Sequence, residues 1–334
     1  MRLLQAIRKQ PVDCTPVWFM RQAGRYMPEY RALRQKYSIL EICRTAELAA
    51  EVTLQPLRKF PGLDAGIIFS DILLITEPMG IRVEFVKNEG PVIHNPISTM
   101  ADVEALKPVE PERQLSSVLN AIRLVKKEIQ IPLIGFAGAP FTLASYMVEG
   151  GPSKDYAKTR ALMATPVWPR LMEKLSEAVA THLRAQEAAG ADLVQLFDSW
   201  VGNLSVDEYR ERVMPYTARI FKSLRGPSIH FGTQTSHLLE LIRDAGGTCV
   251  GVDHRIALDE AWDRIGHDVA VQGNLDPALL LGPVDRLLNQ VDDVLRRAGK
   301  RPGHLFNLGH GILPETPMEH VQAVIEHVHS RTQR

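Results

Sequence analysis

The sequence predicts an α/β barrel of eight parallel strands, and three observations carry that prediction. Eight short runs along the 334 residues are continuously apolar rather than alternating, which marks parallel strands buried on both faces. Longer amphipathic stretches separate them, as crossover helices must. No glycine-rich phosphate turn follows the first run, where the rival architecture, a doubly wound open sheet, would carry one.

The runs lie at 17–20, 65–69, 131–136, 191–197, 228–231, 248–252, 269–271 and 305–308. The first, bounded by Pro16, is the aromatic strand Val17-Trp18-Phe19-Met20. After the second the rhythm breaks. Residues 81–86 alternate with period two, Asn88-Glu89-Gly90 reads as a turn, and a second extended stretch follows, so a β-hairpin excursion is expected there. Between the third and fourth-to-sixth runs the helices are plain. Over 168–189, Leu171, Leu175, Ala178, Val179 and Leu183 recur at helical spacing, and 236–245 behaves alike. Gly190 and Gly246 stand where these helices should stop. No low-complexity linker or internal repeat divides the chain, and one (β/α)8 domain over 1–334 is expected.

Composition narrows the function. Formal net charge is zero, which gives no basic footprint for nucleic acid. No apolar run reaches the length of a membrane span, and the N-terminus lacks a signal-peptide core. Cys14, Cys43 and Cys249 are far apart with no C-x-x-C pair, which fits a reducing cytoplasm. The histidines show no H-E-x-x-H or His/Cys ligand spacing, and no metal site is expected.

In such a barrel the site lies at the C-terminal ends of the strands. The first run leads into Arg21-Gln22-Ala23-Gly24-Arg25. Arginine presents a planar fork of donors matched to carboxylate or phosphate, and Gly24 permits a sharp turn or close approach, so an anion with several acidic groups is the expected ligand. The second run ends at Ser70-Asp71, where Asp71 is either a helix N-cap or a site acid. Ser199 follows the fourth run and His310, between glycines, follows the eighth; Asp253-His254-Arg255 follows the sixth without a companion nucleophile.

Two segments carry a family resemblance. Pro16-Val17-Trp18-Phe19-Met20-Arg21-Gln22-Ala23-Gly24-Arg25 resembles the N-terminal signature of the uroporphyrinogen decarboxylase family. Ile134-Gly135-Phe136-Ala137-Gly138-Ala139-Pro140-Phe141-Thr142-Leu143, continuing through Tyr146-Met147-Val148-Glu149-Gly150, resembles its other signature, and the likeness runs from about residue 3 to 324. The resemblance implies loss of carbon dioxide from the four acetates of uroporphyrinogen III, giving coproporphyrinogen III, with no cofactor and commonly in a homodimer.

It also implies roles. Asp71 would face the pyrrole N–H groups and stabilise positive charge developing on the ring. Arg21 and Arg25, with the Gln22 amide and the backbone at Ala23 and Gly24, would hold the substrate's carboxylates. Arg34 matches another cleft arginine, its plain reading being a solvated helix face. Tyr146, Ser199 and His310 match the remaining substrate contacts, and the histidine charge is expected to change near neutral pH. The catalytic set is Asp71, Arg21 and Tyr146, with Arg21 also a candidate for proton delivery. Many relatives carry tryptophan where this chain has His254. Two rivals stay in view. Corrinoid-related methyltransferases of the same superfamily bind zinc through His-x-Cys, but the residues two before each cysteine here are Val12, Glu41 and Gly247. A non-catalytic tetrapyrrole carrier would have no need of Asp71.

Overall fold

The computed structural model describes residues 1–86 and 90–334. Two strands of a separate antiparallel hairpin, β2 (Val83–Val86) and β3 (Gly90–Ile93), follow β1 (Gly66–Ile67), as expected; Asn88 and Glu89 of the anticipated turn lie outside the described residues. The remaining strands are β4 (Leu133–Gly138), β5 (Leu193–Asp198), β6 (Ser228–Gly232), β7 (Cys249–Gly251), β8 (Ala270–Gln272) and β9 (His304–Leu305). With β1 they form one curled, wholly parallel sheet in the order β1-β4-β5-β6-β7-β8-β9. Helices fill the crossovers, which gives the barrel-type α/β architecture the periodicity predicts.

The first apolar run departs from expectation. It joins as a single parallel bridge, Val17 to Phe306, rather than as a ladder strand. Phe306 N–H donates to Pro16 O (2.9 Å) on one side, and Asp64 N–H donates to Val17 O (2.8 Å) on the other. The run therefore holds the closing position between the two edges of the sheet. Pro16 has no N–H to give, and the acceptor for Val17 N–H is a side chain, Asp64 Oδ2 at 2.8 Å. That buried carboxylate also receives Arg2 and the His329 ring, which ties the closure to both terminal helices. Asp64→Ala would leave the buried Val17 N–H and the His329 ring without their acceptor, while Arg2 would keep its pair with Asp13. It is expected to lower unfolding free energy by about 1–3 kcal/mol, read by urea denaturation.

Apolar side chains fall into two layers. The inner one, with Trp18, Met20, Ile134, Leu193, Ile229 and Leu305, fills the barrel and is closed below by the helix Arg2–Ile7. The outer one lies between strands and helices. The helix Val167–Ala189 buries Leu171, Leu175, Val179 and Leu183, and Gly190 ends it in the left-handed region (φ 116°) that a β-carbon disfavours. Near its end, Gln186 makes two 2.8 Å hydrogen bonds to the Phe136 backbone. Gly135 permits this approach, since a Cβ there would stand 2.4 Å from Gln186 Oε1. The outer helix thus fixes β4 where its side chains reach the site.

Candidate active site

The C-terminal strand ends surround a cavity of about 300 Å³, within the range of small-ligand sites. Arg21, Ala23, Asp71, Tyr146, Ser199 and His310 all line it. Gln22, Gly24, Arg25 and Arg34 do not. Gln22 is buried and committed to the barrel: its Oε1 accepts from Phe19 N–H (3.2 Å), and its Nε2 donates to Ala65 O (3.1 Å). Arg25 is exposed beyond the lining, and Arg34 donates to Tyr37 O at the end of the helix Pro28–Lys36. The Ala23 and Gly24 N–H groups find no acceptor among the described residues, which leaves them available to an anion at the mouth.

Asp71 combines both of its sequence readings. Its Oδ1 accepts from Leu73 N–H at 2.8 Å, starting the turn into the 3-10 helix Leu74–Thr76, while the carboxyl still faces the cavity. Burial pushes its pKa up to about 6, against the lowering effects of the Leu73 N–H and the Arg21 charge. The carboxyl therefore titrates just below neutral and is an anion at pH 7.

Arg21 occupies the left-handed region at φ 59°, a conformation costly for a residue with a side chain. Two contacts brace the turn. Met20 N–H donates to Asn307 Oδ1 (3.2 Å), and Ile312 N–H donates to Met20 O (2.9 Å). The side chain opens to the cavity but is walled by protein. Desolvation, and then the charge of Arg25, draw its pKa below the usual guanidinium range, while Tyr146 and Asp71 oppose this. Under its stem lies Gly311, where a Cβ would meet Arg21 Cδ at 2.4 Å. Gly311 has no left-handed φ to lose. Gly311→Ala is expected to lower kcat/KM about tenfold or more with little change in Tm, and to have no further effect in an Arg21→Ala background, a comparison that steady-state kinetics makes directly.

Tyr146 comes from the helix Pro140–Glu149, its ring set edge-on to Trp200 at 6.0 Å between centroids. Burial, then the Asp71 charge, push its hydroxyl up to about 12, so it is a neutral donor at pH 7. The Ser199 carbonyl accepts from the Thr233 hydroxyl at 2.6 Å, fixing the loop after β5. Burial first, then Arg21, lower the His310 pKa to about 4, which keeps the ring neutral near pH 7. His254 lies behind this loop, with its backbone N 2.2 Å from where a Gly309 Cβ would stand. Asp253 is committed to Arg255 (2.8 Å) and the Gln234 N–H, a structural role.

Sequence reasoning missed the aromatic wall. Phe136, Phe197 and Phe231 stand edge to face on β4, β5 and β6, with centroids 5.5 and 6.0 Å apart, and Phe69 and Phe85 add to the apolar lining beside Ile67, Ile68 and Ile72. A signal was available: phenylalanine recurs just before the polar end of run after run, as in Phe69-Ser70-Asp71, Phe197-Asp198-Ser199 and Phe231-Gly232-Thr233. The cysteines are buried free thiols. Among the described residues, no three His, Cys, Asp or Glu side chains gather as a metal site, and no helix is long and apolar enough to cross a membrane.

Fold and site define an α/β-barrel enzyme whose largely apolar cavity gathers one carboxylate, a guanidinium and a phenol. The sequence model of the uroporphyrinogen decarboxylase family matches residues 1–331. A uroporphyrinogen decarboxylase of Sorangium cellulosum (strain So ce56) is 60% identical, covering 98% of this chain and 96% of its own. One from Carboxydothermus hydrogenoformans is 50% identical, covering 98% and 95%. Among solved structures, a methyltransferase from Methanosarcina mazei superposes with a TM-score of 0.80 at 22% identity, over 99% of this chain and 98% of its own, which speaks for the fold alone. The chain belongs to the uroporphyrinogen decarboxylase family.

Proposed function

We propose that this chain removes all four acetate carboxyl groups of uroporphyrinogen III as carbon dioxide, giving coproporphyrinogen III, as a single cytoplasmic domain that works as a homodimer and without a cofactor. The observation that carries the reading is Asp71, one acid set in an apolar, aromatic-walled cavity with Arg21 and Tyr146 around it. Protonation of the ring α-carbon beside the carbon that bears an acetate places positive charge on that carbon and, by conjugation, on the pyrrole nitrogen. The carbon–carboxylate bond then breaks, its electron pair flows into the ring and neutralises that charge, and carbon dioxide leaves. A proton on the resulting methylene carbon and loss of the ring proton complete a methyl group. The pyrrole is its own electron sink, so the bond cleavage calls for charge stabilisation rather than a metal or organic cofactor.

Asp71 faces the pyrrole N–H groups and opposes the cationic charge where water is scarce and the effective dielectric is low. Arg21, with Arg25 and Arg34 nearer the rim and the backbone N–H groups of Ala23 and Gly24, receives substrate carboxylates, while the Gln22 N–H is held by the Phe19 carbonyl. The lowered pKa of Arg21 supports it as a proton carrier to the ring. Tyr146 donates to the reacting carboxylate, and Ser199 and neutral His310 hold side-chain carboxylates. The methyltransferase rival finds no support in a relative at 60% identity. The test is anaerobic incubation of metal-stripped protein with uroporphyrinogen III, products being separated by carboxylate number. Stepwise seven- to four-carboxylate porphyrins are expected; unchanged starting material would refute the reading.

A further inference from the structure

Directly behind the wall of the cavity lies a dry polar cluster that the reaction does not use. Asp198, the last residue of β5, and His230 of β6 are both 0% exposed. The His230 Nδ1 stands 3.1 Å from the Ile242 carbonyl oxygen, and its Nε2 stands 3.5 Å from Asp198 Oδ2. Thr142 and Tyr209, also 0% exposed, lie near the same carboxyl. Both Asp198 oxygens, His230 Nε2 and the two hydroxyls are buried without a hydrogen-bond partner.

This geometry constrains the proton count. A carbonyl can only accept, so His230 Nδ1 carries a hydrogen. Nε2 then faces a carboxyl oxygen, and two lone pairs would oppose each other in a dry interior unless a proton stands between them. The other groups near the pair, Thr142, Tyr209 and the Phe221 ring against His230 at 4.9 Å, are neutral, so no further charge supports a bare carboxylate. Burial likewise raises the Asp198 pKa.

We infer that Asp198 and His230 hold one proton between them and act as a positioning pair for the cavity. The pair joins β5, β6 and the helices carrying Thr142, Tyr209 and Ile242. Asp198 immediately precedes Ser199, and Thr142 lies one helical turn before Tyr146. Through these two connections the pair sets where both cavity side chains point, a role that rests on the decarboxylase reading.

The test has two arms. Asp198→Leu removes the shared proton, whereas Asp198→Asn keeps an N–H donor toward His230 Nε2. The leucine variant is expected to lose about tenfold in kcat with KM changed less than about twofold, and the asparagine variant to recover to within about threefold of the parent. Parental kcat in Asp198→Leu would overturn the positioning role. So would a loss that Asp198→Asn fails to recover. The second arm needs neither folding of a variant nor turnover. In the ¹⁵N spectrum of the parent protein at pH 7, His230 is expected to show a protonated Nδ1 and a hydrogen-bonded Nε2. An Nε2 with a free lone pair would overturn the shared proton, whatever reaction the enzyme catalyses.

Discussion

Asp71→Asn is expected to lower kcat by about 10²–10³-fold, the scale of losing one electrostatic stabiliser of a transition state. Asparagine keeps the Oδ1 that accepts from Leu73 N–H, so the turn into 74–76 survives. Only the charge is lost. Stability should not fall with activity. The folded carboxyl holds its proton more tightly than an unfolded aspartate, with a pKa of about 6 against 3.8. Between those values the folded state binds more protons, so unfolding free energy declines as pH rises through the window, and at pH 7 the ionised group burdens the fold. Removing that burden is worth up to about 3 kcal/mol, less what Arg21 loses when its nearby anion goes. A Tm for Asp71→Asn equal to or above the parent's at pH 7, beside lost turnover, is the expected result. The same pKa predicts that parental kcat/KM falls as pH drops through about 6, where the anion is lost. A substitution that leaves turnover intact would remove Asp71 from the chemistry.

Arg21→Ala comes second in size. A charge-assisted hydrogen bond to a substrate carboxylate contributes about 1.5–3 kcal/mol, so kcat/KM should fall about 10–100-fold. If Arg21 also carries the proton, kcat falls along with the rise in KM. Arg21→Lys is expected to restore little, since an ammonium lacks the planar fork. Arg25, outside the cavity lining, should act mainly on KM when replaced by alanine. Steady-state kinetics of the three variants separates these effects, because Arg21 lines the cavity and Arg25 does not. Equal losses at Arg21 and Arg25 would contradict the difference in their placement.

Most of the sheet was legible because its strands are buried on both faces and read as unbroken apolar runs. The first run was legible as extended, but its single-bridge pairing was not, because the Val17 N–H goes to the carboxylate of Asp64, 47 residues further on. No local pattern announces a side chain standing in for a ladder partner. The site acid Asp71 and the arginine Arg21 were visible as polar residues at strand ends. The inward turn of Gln22 was not, since it follows from the left-handed backbone at Arg21, which residue type alone does not predict. The neutrality of His310 was hidden for a related reason: it depends on burial beside Arg21, a neighbour 289 positions away in the chain. Gly311 and the Phe136–Phe197–Phe231 wall left traces in the sequence, but their meaning depends on which strands stand side by side.

The most direct measurement is a structure of the protein crystallised anaerobically with coproporphyrinogen III. The account predicts pyrrole nitrogens within about 2.7–3.2 Å of the Asp71 carboxylate oxygens, side-chain carboxylates on Arg21, and the macrocycle against the phenylalanine wall. A bound macrocycle whose nitrogens turn away from Asp71, leaving its carboxylate on Leu73 N–H alone, would contradict it.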